Sequence, residues 1–382
     1  VKHVRQLDAL RGVAILLVIA AHWLGRHYLG DAWLNGHVGV HLFFVLSGFL
    51  ITGILLDARA DAERAGGGRA GVLSAFYARR FLRIFPLFYA TLTVAYLVGF
   101  GAVRATAAWH FAYASNVLFF LRGSWLGVVS HLWSLAVEEQ FYLVWPILIL
   151  FLPRRWLAPV LAAVIVLASV YRLTGQAAFG WNDVQTEVLP FGCLDSLGCG
   201  ALLAWGERNS PKATLRLTTV GLYFLLPMYV LTRGLAEIVP VMGSVARPLL
   251  APFLAAIVAA GARSQSTLLT FRPLRFLGKI SYALYLFHNF VPVVTVSLLT
   301  NRLAMHLPRA TMIAIDSFVL AGAATASWFV FESPINSLKR YVPYMRQRAR
   351  PAVVADVPMA PSSASAGEED NPRAAPCSIR GR

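Results

Sequence analysis

Residues 131–152 read His131-Leu132-Trp133-Ser134-Leu135-Ala136-Val137-Glu138-Glu139-Gln140-Phe141-Tyr142, followed by LVWPILILFL. As a helix, a stretch of this length crosses a bilayer hydrocarbon core of about 30 Å. Two adjacent carboxylates lie inside it, where an ionisable side chain is costly and belongs to the interior of a bundle. His131, Ser134 and Glu138 follow i, i+3, i+7 spacing and share one helix face. Glu139 points about 100° away, so the two glutamates are expected to meet different partners. The segment therefore reads both as a membrane span and as a carrier of chemistry.

The rest of the chain repeats the first half of that reading. Hydrophobic residues make up 58% of the 382 and charged residues 14%, against roughly 25% charged in soluble proteins. Apolar blocks predict ten spans, near 9–25, 38–56, 81–101, 131–152, 156–173, 190–206, 214–232, 246–262, 279–300 and 311–331. Backbone polar groups in lipid must be satisfied within the segment, and the blocks lack the strict alternation of barrel strands. The expected fold is all-α, a polytopic helix bundle of about ten transmembrane helices.

The net charge of +16 does not point to nucleic acid, because the basic residues fall in short connections between apolar blocks. Sorted by alternate connections, twenty-three Lys and Arg lie on the side of the N-terminus and eight on the other. Cytoplasmic loops carry that excess, so both termini are expected in the cytoplasm. The apolar stretch after Lys2 and Arg5 has no small-residue cleavage site behind it and reads as a retained first helix. Cys193, Cys199 and Cys377 form neither a disulfide framework nor a zinc pattern, and no metal site is expected. Gly66-Gly67-Gly68 lacks the Lys-Ser/Thr ending of a phosphate loop and reads as a linker. The expected organisation is a membrane domain over 1–335, then a basic juxtamembrane segment and disordered cytoplasmic tail over 336–382. The tail is rich in Pro, Ser and Ala, with an acidic cluster at Glu368-Glu369-Asp370.

Polar groups inside the spans fall into two layers. Arg11 and His22 lie on the first span, about 16 Å apart at the helical rise, near its inner and outer ends. His41 enters the second span from outside, with Ser47 and Gly48 deeper, where small residues let helices approach closely. Arg79, Arg80 and Arg83 cluster at the start of the third span, and with Arg11 they offer fork-shaped donors suited to phosphate or pyrophosphate. In the ninth span, His288 lies about 13 Å from Lys279, near mid-membrane. Glu332 sits close to the inner end of the last span, within reach of a loop arginine.

These blocks resemble the acyltransferase-3 family of multi-pass membrane enzymes, which acylate surface polysaccharides, O-antigens, Nod factors and some macrolides. The resemblance covers about residues 5–335. It is carried by Leu7-Asp8-Ala9-Leu10-Arg11-Gly12 with His22 eleven positions beyond Arg11, by Gly39 to Thr52, Arg79 to Tyr89 and His131 to Tyr142, and by Leu277-Gly278-Lys279-Ile280-Ser281-Tyr282 followed by His288. Arg11 and His22 look like the family's paired arginine and histidine, with His22 the implied general base. Arg80 and Arg83 look like its Arg-x-x-Arg element associated with the acyl donor, and Glu138 and Glu139 match its acidic pair. Many relatives carry aspartate where this chain has His41. Some continue into a periplasmic hydrolase-like domain that completes transfer. The short tail here carries the expectation that the membrane domain performs the whole reaction.

The resemblance implies an O-acyltransferase in the bacterial cytoplasmic membrane. It would move an acyl group, acetyl being commonest in the family, from cytoplasmic acyl-CoA to a hydroxyl of a carbohydrate or glycolipid such as a surface polysaccharide. Acyl-CoA is a co-substrate in this reading, and no tightly bound cofactor is expected. His22, Glu138 and His131 are the candidate catalytic residues, with Glu138 or His131 orienting the His22 imidazole. Arg11, Arg80, Arg83, Glu139, Ser134, Ser47 and His288 are the candidate substrate-binding residues. The alternative is a transporter or flippase, since intramembrane Arg, Glu and His also mark transport pathways. Labelled acyl-CoA distinguishes the two, because only an enzyme yields an acylated product.

Overall fold

The computed structural model describes residues 4–29, 37–236 and 241–344. Residues 345–382, which hold the Pro/Ser/Ala-rich stretch and the acidic cluster, lie outside the described residues. Those residues are helical, with no strand among them. The long helices are α1 (Arg5–Leu29), α2 (His37–Arg64), α3 (Arg69–Val98), α4 (Leu132–Phe151), α5 (Arg154–Phe179), α6 (Pro190–Asn209), α7 (Pro211–Ala236) and α8 (Val241–Arg263). Then come α9 (Ser281–Phe287), α10 (Phe290–Val296) and α11 (Arg309–Ser327). Eight segments among the described residues are long and apolar enough to cross a bilayer, and α9 with α10 makes a ninth. The chain is a polytopic helical membrane protein.

Two of the expected spans differ in kind from the rest. The ninth is broken: α9 and the segment Phe290–Arg302 meet at a 52° bend at His288 and Asn289. The sixth, α6, has the length of a span but is not among the eight apolar segments. It is mostly interior, with Gly192, Asp195, Ser196, Gly198 and Gly200 all buried. Interior position removes the need for a lipid-facing apolar surface. Asp195 is instead satisfied by Arg172 of α5, at 2.7 Å.

Glycines set how closely the helices approach. A methyl group on Gly48 of α2 would lie 2.0 Å from the Leu197 carbonyl oxygen of α6, and one on Gly200 would lie 2.0 Å from the Val45 oxygen. The two backbones touch at these points, as small-residue packing in membranes allows. The same holds for α1 and the short helix Arg272–Lys279: a methyl on Gly278 would meet the Asp8 oxygen at 1.7 Å, and one on Gly12 the Leu274 oxygen at 2.3 Å. Gly12 thus fixes the wall beside Arg11.

The connection from α3 to α4 is not a bare loop. It contains short helices at Gly101–Ala105, Ala107–Phe111 and Ser115–Arg122. His110 is fully buried there, bonded through Nε2 to Thr106 Oγ1 at 2.8 Å and through Nδ1 to Ser115 Oγ at 2.7 Å. Thr106 spends its own proton on the Ala102 carbonyl, so His110 Nε2 carries the hydrogen. Burial lowers the His110 pKa to about 4.

A branched side chain at Gly48 or Gly200 is expected to cost about 1–3 kcal/mol or more, read as a lower thermal midpoint in detergent. His110 is favoured neutral in the fold, so its contribution is present above the ordinary imidazole range near 6.5 and is lost as pH falls toward its folded value of about 4. Hydrogen exchange across residues 102–116 should quicken over that window, and His110→Gln should flatten the change.

Candidate active site

Five helices converge on a small chamber of about 70 Å³ at the level of the inner arginines. Arg11 of α1, Ser47 of α2, Arg80 and Arg83 of α3, Ser134, Glu138, Glu139 and Tyr142 of α4, and Ser281, Tyr282 and Tyr285 of α9 line it, with Val40, Phe43 and Phe44 among the apolar groups. Glu138 accepts a hydrogen bond from Ser47 Oγ at 2.6 Å, and Ser47 in turn accepts from Tyr142 OH at 3.1 Å. The Arg80 guanidinium lies over the Tyr142 ring, 5.1 Å from its centre. Arg11 Nε is buried with no hydrogen-bond partner. Three guanidiniums face two carboxylates, a surplus of donors suited to an anionic ligand. Arg79, the third arginine of the α3 cluster, turns away and donates to the Lys339 and Val342 carbonyls.

The histidines form a separate, outer group. The His22 and His288 rings lie 4.8 Å apart, and His288 and His131 are again 4.8 Å apart, each pair edge to face. His288 bonds through Nδ1 to the Tyr285 carbonyl at 2.5 Å, leaving Nε2 buried without a partner. His131 donates from Nε2 to the Leu286 carbonyl at 3.2 Å and meets the Asn289 amide at 3.1 Å through Nδ1. The break between α9 and α10 supplies these contacts, because the backbone there is turned toward α4. His288 is thus an interhelical element that holds His22 and His131 on either side of it.

His22 is solvent-exposed and faces two outer cavities. One, of about 300 Å³, is lined by His37, Val40, Trp125, Ser130, His131, Trp133 and Tyr285 besides His22. Val40 and Tyr285 also line the arginine chamber, so these two side chains form the partition between them. The other, of about 410 Å³, lies against α10 and α11 and includes Trp23, Asn289, Arg309 and Asp316.

The imidazole of His22 is oriented differently from the expectation. Its Nδ1 lies 2.8 Å from the Val18 carbonyl, one turn back on the same helix. A carbonyl only accepts, so Nδ1 carries the proton and Nε2 is left bare as a base. Glu138 does not bond to His22. It lies seven residues, about 10 Å along the helix, inward of His131, and it belongs to the arginine layer through Ser47. Glu138 and Glu139 both line the one chamber, and the Ser47 bond goes to Glu138. Ser47, a small residue at a close helix approach, is buried and donates to Glu138. Ser134 shares a 2.5 Å bond with Tyr285 OH, and both hydroxyls approach the His131 carbonyl. Glu332 accepts from Ser327 within a π-helical turn, Trp328–Glu332.

Several polar groups escaped the sequence reading. Tyr285 and Asn289 tie the histidines to α9 and α10, and no intramembrane charge marks them. Asp316 is a buried carboxylate in the last span that accepts from Thr295. The criterion that selected Glu138 selects it too. His37 bonds to the buried Glu187 at the outer surface, and His41 bonds to Ser196 Oγ at 2.7 Å. Among the described residues, no group of three or more His, Cys, Asp or Glu is arranged to hold a metal ion.

The acyltransferase-3 family model, described as an acyltransferase domain, matches residues 4–332. The peptidoglycan O-acetyltransferase OatA of Listeria monocytogenes is 31% identical over 88% of this chain and 56% of its own length. The putative peptidoglycan O-acetyltransferase YrhL of Bacillus subtilis is 29% identical over 88% of this chain and 55% of its own. The O-acetyltransferase OatA of Staphylococcus aureus is 26% identical, covering 74% and 49%. The chain thus spans about half the length of the curated relatives it matches. No solved structure matches it.

The Val18 contact makes one prediction directly. With ¹⁵N-labelled histidine at a pH where imidazoles are neutral, the signal lost in His22→Gln should be that of an Nδ1–H tautomer. An Nε2–H signal there would contradict the assignment.

Proposed function

This chain belongs to the acyltransferase-3 family, and on that premise we propose that it is a bacterial cytoplasmic-membrane O-acyltransferase acting from cytoplasmic acyl-CoA on an envelope glycan. The acyl group is acetyl and the glycan is peptidoglycan or a polymer like it, in keeping with the names of its relatives. The observation that carries the reading is the sequence of spaces. An arginine-lined chamber adjoins, across Val40 and Tyr285, an outer cavity that holds the bare Nε2 of His22.

Each part of the donor then has a counterpart. Coenzyme A carries a pyrophosphate and a 3′-phosphate, for which Arg80, Arg83 and Arg11 supply forked donors. Its pantetheine arm is long, uncharged and suited to pass between Val40 and Tyr285. Glu138 keeps the guanidiniums from repelling one another before the donor arrives, and Ser47 and Tyr142 hold it in place. His288 and His131 back His22 from the protein side.

The reaction on this reading is a single acyl transfer. The acceptor oxygen attacks the thioester carbonyl carbon while His22 Nε2 takes the hydroxyl proton. The tetrahedral intermediate expels the sulfur, the C–S bond breaks, and the His22 imidazolium returns its proton to the thiolate. General-base help of this kind is worth about 10² to 10⁴ in rate.

Proteoliposomes supplied with labelled acetyl-CoA test the proposal. His22→Ala should lower acetyl transfer by about 10² to 10⁴ while donor binding persists. Arg80→Ala and Arg83→Ala should each weaken donor binding by about tenfold or more, as expected for a lost charge-assisted hydrogen bond. Movement of label across the membrane with no acylated product would instead support the transporter reading.

A further inference from the structure

His22 lines two outer cavities, and only one of them adjoins the arginine chamber. An acyl transfer brings two substrates to one base, and each needs its own approach. The cavity bounded by Val40 and Tyr285 leads back to the arginines. The second cavity shares His22 and Ser130 with the first but none of the residues of the arginine chamber, and it is lined by α1, α10 and α11. We propose that this second cavity is the acceptor site, that it takes a sugar ring of the glycan, and that Asp316 and Trp23 are its recognition residues. The inference rests on the function proposed above.

The chemistry of the walls carries the assignment. Arg309, Met312, Ile313 and Asp316 follow i, i+3, i+4, i+7 spacing and line the cavity along one face of α11. Asp316 is buried at 5% exposure in a membrane helix, where a carboxylate marks a functional site by default. It already accepts from Thr295, and a carboxylate has further lone pairs for sugar hydroxyls. Trp23 adds an indole, an apolar face of the kind on which a sugar ring stacks, anchored by its Nε1 to the His288 carbonyl at 3.0 Å. Asn289 and Ser130 supply neutral donors and acceptors. The cavity has no cationic cluster for a nucleotide, and its walls are mostly apolar with a few polar groups among them, the usual make-up of a small-molecule site. At about 410 Å³ it is in the size range of small-molecule sites, room for a ring whose hydroxyl points at His22.

The test uses the full chain in proteoliposomes, labelled acetyl-CoA, and soluble peptidoglycan fragments of two disaccharide units added from outside. Asp316→Asn should raise the acceptor KM by about tenfold, the cost of losing a charged hydrogen-bond partner. Met312→Trp, which fills the cavity without touching that bond, should do the same. Donor affinity, measured separately by acetyl-CoA binding, should stay within about twofold in both, which also reports that the variants are folded. Unchanged acceptor KM in both variants overturns the assignment. So does label that ends on protein while the glycan stays unmodified. If the wild-type chain moves label across the membrane and forms no acylated product, the underlying function fails instead, whatever the acceptor variants do.

Discussion

A guanidinium inside a membrane protein must be answered by an anion, by water or by a ligand, and this structure is arranged around three of them. Arg11, Arg80 and Arg83 share a chamber with Glu138 and Glu139. The lining sets three guanidiniums against two carboxyl groups. Each neighbouring feature reads as a consequence: Ser47 and Tyr142 fix Glu138, the Tyr142 ring faces Arg80, and Gly12 lets the Arg272–Lys279 helix close against α1 beside Arg11. The remaining positive charge is what an anionic donor would complete. Fully neutralised, the chamber would be a structural ion-pair cluster with nothing left to bind.

The histidine layer follows a different rule. Its rings are held by backbone carbonyls and by one another, not by carboxylates: Val18 for His22, Tyr285 for His288, Leu286 for His131. Two of those carbonyls belong to α9, just ahead of its 52° break from the next helix. A straight ninth span would carry its carbonyls into its own helical ladder. Breaking it frees them for the imidazoles, and polar backbone at membrane depth is tolerated where it faces protein or a cavity. The partition at Val40 and Tyr285 lets the two layers keep separate chemistries, cationic on one side and basic on the other.

Much of this was legible in the sequence. Span length and charge asymmetry gave the helical bundle, and the register of Arg11 and His22 on one helix already separated an inner from an outer layer. What stayed hidden depends on the third dimension. Ser47 and Glu138 are 91 residues apart, and no local pattern pairs them. Glu138 was expected near His22 because both lie in spans that begin or end at the outer face, yet about 10 Å of helix rise divides them. Hydropathy reports composition and not the direction of an axis, so the break at His288 and Asn289 was invisible. Asp316 is a different case: the rule for intramembrane charges applied to it, and a single acid near the outer end of a span simply attracted less notice than an adjacent pair.

The most direct measurement is an experimental structure of the full chain in a lipid nanodisc with a non-hydrolysable acetyl-CoA analogue bound. The pyrophosphate should lie within hydrogen-bond reach of Arg80 and Arg83, the pantetheine arm between Val40 and Tyr285, and the acyl carbonyl should face His22 Nε2. A donor whose acyl end stops inside the arginine chamber, or whose phosphates lie away from those arginines, would contradict it.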